Sequence, residues 1–168
     1  MTAPGAGGGA RFAVVAAAFN RVVTARLVEG ATAGLRAAGV PEDRITVAWT
    51  PGAFELPLAA KRAALSGRFD AVLCLGAVIR GETAHFDYVA GETARGIQQV
   101  ALDTGVPVLF GVLTTDSLDQ AMARAGGSHG NKGWDCAEAA LRMIDALGEL
   151  GPDAAAAGDG VRVKGGPG

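Results

Sequence analysis

The stretch Gly76-Ala-Val-Ile-Arg-Gly81-Glu-Thr-Ala-His85-Phe-Asp-Tyr88 combines residue types that can hold an anion and move a proton. A strand, a glycine turn and a helix start at Glu82-Thr83 would aim unpaired backbone N–H groups outwards, which makes a seat for an anion or a phosphate. Thr83 either caps that helix or gives its hydroxyl to the anion. The Glu82 carboxylate would repel a phosphate, so its backbone should face the ligand while its side chain suits the positive helix end. His85 stands one short step beyond and is one of only two histidines. A neutral imidazole there can move protons near neutral pH; the competing reading is a helix-start histidine bonded to a carboxylate such as Asp87.

Three further segments carry chemistry. Pro51-Gly-Ala-Phe-Glu-Leu-Pro57 is a compact turn in which Gly52 permits a ligand to approach the backbone. Ala53, Phe54 and Glu55 would project from it, Glu55 either accepting from a hydroxyl or complementing a helix dipole. Phe19 and Asn20 close the first apolar run, and Phe19 offers a face to a flat ring or else fills core. Ala125-Gly-Gly-Ser-His-Gly-Asn-Lys132-Gly133 is a glycine-rich turn preceded by Arg124. Arg124 suits bidentate phosphate binding and Lys132 a point-charge contact. The turn is not a P-loop, since no strand precedes it and the spacing differs. His129 reads as a surface residue. Two histidines and two separated cysteines make no metal-ligand set, and Cys74 and Cys136 read as inert core.

The elements that must position these groups alternate strand and helix. Apolar runs at Phe12–Ala18, Ile45–Thr50, Ala71–Ala77 and Val106–Leu113 read as strands. Helices are expected over Val22–Ala38, from near Pro57 to Ser66, His85–Thr104, Ser117–Ala125 and Lys132–Leu150. Repeated β-α units imply an α/β layered domain with a parallel sheet of four strands. Ligands of such sheets lie outside the carboxyl ends of the strands, which directs attention to four loops: Phe19-Asn20, Pro51 to Glu55, Val78 to His85 and Thr114 to Asp116.

The chain carries 15 Lys+Arg against 17 Asp+Glu, a balance that gives no support for nucleic-acid binding. Its apolar fraction of 49% excludes a wholly disordered chain. No apolar run approaches the ~20 residues of a membrane span. Two cysteines, and an opening without the pattern of a secretory leader, set the expectation of a reducing cytoplasm. Residues 1–10 and 152–168 read as flexible tails, the first alternatively as an edge strand added in an oligomer, leaving a folded unit over 11–151. Residue types alone reach an α/β domain binding a small phosphorylated ligand.

Taken together, the loops resemble those of the 6,7-dimethyl-8-ribityllumazine synthase family. The matching stretches are Phe19-Asn20, Pro51–Pro57, Gly81–Val89, Phe110-Gly111 with Thr114-Thr115, and Gly130–Gly133, in family order and spacing. The resemblance implies a flavodoxin-like, three-layer α/β sandwich with helices on both faces of the sheet. It implies a transferase that condenses 5-amino-6-(D-ribitylamino)uracil with 3,4-dihydroxy-2-butanone 4-phosphate, with no metal or organic cofactor. Carried over by position, Phe19 and Asn20 would border the pyrimidine ring, with Phe19 stacking on it. Ala53, Phe54 and Glu55 would hold the ribityl chain, and Val78 and Ile79 would meet the ring through their backbone. Glu82, Thr83 and Arg124 would bind the phosphate, and His85 would transfer the proton. Phe110, Arg124 and Lys132 would come from an adjacent subunit of a pentamer. Some members build sixty-subunit icosahedral shells, and the short Gly126–Gly133 turn is of the shell-forming kind; riboflavin synthase is a candidate partner. A non-catalytic flavin or lumazine carrier, a purely structural shell protein and an FMN protein are the competing classes.

Overall fold

A computed structural model describes residues 9–152. Four parallel strands, β1 (Phe12–Ala17), β2 (Ile45–Thr50), β3 (Ala71–Ile79) and β4 (Val108–Thr115), form one sheet in the order β2-β1-β3-β4. Five helices flank it: α1 (Arg21–Ala37), α2 (Leu56–Leu65), α3 (His85–Thr104), α4 (Leu118–Ala123) and α5 (Lys132–Leu150). Side chains of a strand alternate between faces, and the core divides accordingly. Phe12, Val14, Ala16, Leu73 and Leu75 pack with Leu27, Leu35, Ala121, Ala137 and Ala140. Ala13, Val15, Val72 and Cys74 pack on the other face with Leu56, Ala60, Ile97 and Val100. The expected three-layer sandwich is therefore present, with α1, α4 and α5 on one face and α2 and α3 on the other.

Small residues set the spacing of the first layer. A Cβ added at Gly133, in the first turn of α5, would overlap the Leu27 carbonyl of α1. One turn on, a Cβ at Gly34 would come within 2.9 Å of the Ala137 methyl. Asn131 locks the same joint: its Oδ1 accepts from Gly133 N (2.8 Å) and Trp134 N (3.2 Å), capping α5. Its Nδ2 donates to the Arg26 carbonyl of α1 at 3.0 Å.

Differences from the sequence reading are local. Strand β4 begins and ends two residues later than expected, because its partner β3 runs on to Ile79 and pairs there with Thr115. The pairing with a neighbour carries the strand past the apolar run. The glycine-rich turn contains a short antiparallel hairpin, β5 (Ala125–Gly127) with β6 (Gly130–Asn131). Gly9 and Ala10, read as tail, belong to the packed unit: Ala10 is buried, and the Gly9 carbonyl accepts from Arg44 Nη1 at 2.7 Å. The remainder of the two tail expectations, residues 1–8 and 153–168, lies outside the described residues.

Candidate active site

At the carboxyl ends of β1, β2 and β3 lies an open pocket of about 750 Å³. The β1 end contributes Phe19 and Asn20, the β2 end Pro51 to Glu55, and the β3 end Ala77 to Ile79. Gly81, Thr83, His85, Phe86, Tyr88 and Val89 close it from the loop into α3. Thus Phe19, Asn20, Ala53, Phe54, Glu55, Val78, Ile79, Thr83 and His85, singled out from widely separated segments, share one cavity. Phe19 and Phe54 present broad faces to solvent, 71% and 61% exposed respectively, rather than filling core.

Asn20 holds the β1 end in an unusual way. It is the only described non-glycine residue with positive φ, at 59°. In that conformation its carbonyl accepts from Val23 N (2.9 Å) and Thr24 N (3.1 Å), starting α1. Its side chain makes no capping bond and reaches instead to the Ala77 carbonyl, with Nδ2 donating at 2.8 Å. The contact lies beyond the last β1–β3 pair, Ala16 with Leu75, so the amide continues the joint between the strands. Asn20 is therefore a brace of the pocket as well as a lining residue.

Glu55 occupies the N-cap of α2 without a side-chain capping bond. Its Oε2 lies over Gly52, where a Cβ would come within 3.1 Å. The carboxylate remains exposed at the pocket rim. Of the two starts the sequence offered for this helix, Glu82-Thr83 and His85, the structure has the second: α3 begins at His85, with Ala84 at its N-cap. Glu82 and Thr83 belong to the preceding turn, in which Thr83 Oγ1 accepts a long bond from His85 N at 3.4 Å. The Thr83 proton stays available to a ligand. Asp87, the alternative partner for His85, faces Arg80 instead, with Oδ1 3.7 Å from Nη1.

Four of the residues singled out do not line the pocket. Glu82 is exposed on the loop beside it, and Phe110 lies on β4, the edge strand, 39% exposed. Arg124, half-buried, donates from Nη1 to the Gln120 carbonyl at 3.0 Å. Lys132 begins α5, and its backbone N–H donates to the Arg124 carbonyl at 2.9 Å. Arg124 and Lys132 are thereby joined to each other at the hairpin, outside the lining of the pocket. Among the described residues that line the pocket there is no lysine or arginine.

Both thiols are buried. Burial pushes each pKa up, that of Cys136 to about 11 with the Lys132 charge pulling partly the other way. Among the described residues no helix is long and apolar enough to cross a membrane.

With this geometry in place, the family model for 6,7-dimethyl-8-ribityllumazine synthase matches residues 9–148. The chain belongs to the 6,7-dimethyl-8-ribityllumazine synthase family. Membership supports a transferase role in lumazine synthesis within riboflavin biosynthesis. The pocket residues of this lumazine synthase family member fall inside the matched span, as do Phe110, Arg124 and Lys132. Phe86 and Tyr88 line the cavity although sequence reasoning gave them no role. Their signal was available, since they lie one and three residues beyond His85, on the first turn of α3.

Proposed function

We propose that the chain condenses 5-amino-6-(D-ribitylamino)uracil with 3,4-dihydroxy-2-butanone 4-phosphate, giving 6,7-dimethyl-8-ribityllumazine, inorganic phosphate and water. The observation that carries this reading is the convergence of Phe19, Glu55, Thr83 and His85 on one cavity at the carboxyl ends of the strands. An aromatic ring for stacking, a carboxylate for hydroxyls, a hydroxyl beside an anion seat and a proton-transfer group answer to the parts of these two substrates.

In this reading the pyrimidine stacks on Phe19, with its polar edge on the backbone of Val78 and Ile79. The ribityl chain runs along Ala53–Glu55, where Glu55 accepts from a hydroxyl. The substrate amine attacks the ketone carbon, and loss of water leaves an imine. A carbon-bound proton is then removed and the C–O bond to phosphate breaks, the electron pair leaving with phosphate. Protonation of the terminal carbon of the resulting enol and loss of its hydroxyl proton create a new carbonyl, and attack of the second amine on that carbon closes the ring, with loss of water. The substrate provides the nucleophile, so the protein's work is placement of two reactants, proton movement through His85 and stabilisation of the leaving charge.

The leaving phosphate calls for a cation, and among the described residues the pocket is lined by no lysine or arginine. The family resemblance adds a homopentamer, in which Phe110, Arg124 and Lys132 of one subunit complete the pocket of the next, and the reading takes it to work in the cytoplasm. Exposed Leu58, Leu65, Tyr88 and Leu102 supply apolar surface for such contacts. Mixing the two substrates with protein whose mass is measured by light scattering tests the reading. A fluorescent lumazine formed with stoichiometric phosphate release supports it. Binding of the lumazine without turnover would overturn it in favour of a carrier.

A further inference from the structure

We propose that Arg80 is a positioning residue, which fixes the loop carrying Thr83 and His85 by gripping both of its ends. Arg80 directly follows β3, and its N–H donates to the Thr115 carbonyl at the end of β4 (2.8 Å). Its side chain turns to the far end of the same loop. Nε donates to Asp116 Oδ1 at 2.9 Å, and Nη1 lies 3.7 Å from Asp87 Oδ1 in the first turn of α3. The guanidinium carbon stands 4.4 Å from the centroid of the Phe86 ring. Asp116 is itself held, since its N–H donates to Gln120 Oε1 at 2.8 Å.

Between these anchors residues 81–85 are all exposed, and packing gives them little support. They include the groups on which the proposed chemistry depends. A planar, forked group that hydrogen-bonds one carboxylate, pairs with a second and lies over an aromatic face is a guanidinium arrangement that lysine does not reproduce. An isolated surface ion pair contributes little stability. The consequence of this one is conformational: it selects one path for a short exposed loop. Arg80 is also unsuited to hold phosphate, because two carboxylates already share its charge. Its effect on turnover must pass through the loop.

The inference rests on the proposed reaction for its kinetic test alone; hydrogen exchange tests it independently. In assembled full-length Arg80→Gln, amide exchange across residues 81–88 should quicken by about tenfold or more while the sheet is unchanged. Efficiency toward the phosphate substrate should fall by up to about 10²-fold, with KM for the ribityl substrate almost unaltered. Arg80→Lys should recover little, because charge without the fork does not restore the grip, and it serves as the second variant if Arg80→Gln does not assemble. Unchanged exchange in 81–88, equal change throughout the sheet, full rescue by lysine, or equal KM effects on both substrates would each overturn the assignment. If wild type forms no lumazine yet Arg80→Gln loosens only this loop, the reaction assignment fails and the grip stands.

Discussion

Replacing Asn20 separates the cost of a backbone conformation from that of a side-chain bond at one edge of the pocket. Its φ of 59° is a left-handed conformation that glycine adopts freely, asparagine tolerates and alanine resists. The Nδ2 bond ends on the carbonyl of Ala77, a residue only 3% exposed. Losing that bond costs about 1–2 kcal/mol, the upper end applying if the carbonyl finds no water. Asn20→Gly should therefore lose about 1–2 kcal/mol. Asn20→Ala should lose a further ~1 kcal/mol from the backbone. Asn20→Asp keeps the tolerated conformation but sets a carboxylate against a carbonyl, so it should fall below Asn20→Gly.

Urea unfolding at fixed protein concentration measures the series, and unchanged m-values would show that compactness is unaltered. For a domain of this size the alanine variant's loss corresponds to a Tm drop of roughly 4–12 °C. Asn20→Gly as stable as wild type would show that the bond to Ala77 contributes nothing. Asn20→Ala as stable as Asn20→Gly would show that the left-handed backbone is not enforced. Either result refutes the account of Asn20 as a brace.

The remaining expectations test packing, titration and the shared site. Gly133→Ala should lose about 1–3 kcal/mol, because its methyl meets the Leu27 carbonyl; an unchanged urea midpoint would contradict the close α1–α5 contact. Burial pushes the Cys136 thiol up to about 11 from an ordinary 9.0, so the native state should keep a proton that the unfolded chain loses between those values. Its contribution is intact below pH 9 and declines by about 2 kcal/mol as pH rises to 11, and Cys136→Ala should show a flatter alkaline stability profile than wild type. Arg124→Ala should raise KM for the phosphate substrate far more than for the ribityl substrate; equal shifts would refute its assignment to phosphate. Co-assembled Phe19→Ala and Lys132→Ala subunits, each inactive alone, should regain about one quarter of wild-type activity in randomly mixed rings. No recovery would count against a pocket shared between copies.

The architecture was legible because each strand is a short apolar run and each helix carries an inward stripe, such as Ala137 and Ala140 on α5. Local signals do not record pairing, which explains the two-residue displacement of β4: Thr114 and Thr115 are polar, and only β3 beside them makes them strand. The hairpin at Ala125–Asn131 was hidden by glycines, which permit a turn without specifying its form. In the site, residue types marked Phe19, Glu55 and His85, and the resemblance marked Val78 and Ile79, whose apolar side chains give no sign of a backbone role. Arg80 went unmarked because its partners, Asp116 and Asp87, lie 36 and 7 residues away and meet only when β4 aligns with β3. Side-chain spacing along one segment cannot show a clamp between two.

For the proposed reaction, the disposition of charge leaves the phosphate site of a single chain incomplete. A phosphate monoester brings about −1.5 to −2 charges at neutral pH. The cavity offers it the Thr83 hydroxyl, loop N–H groups and His85, but also the Glu55 carboxylate at the rim and Glu82 nearby. Arg80, the cation beside the loop, is shared between Asp116 and Asp87. The candidate phosphate-binding cations, Arg124 and Lys132, are tied together at the hairpin beyond α4. Moving Lys132 inward would require undoing the Asn131 cap and the Gly133 contact that hold the start of α5 on α1. Bringing a second copy's hairpin to the open pocket requires neither. On this physical ground the proposed reading assigns the missing charge to a second copy rather than to rearrangement within one chain.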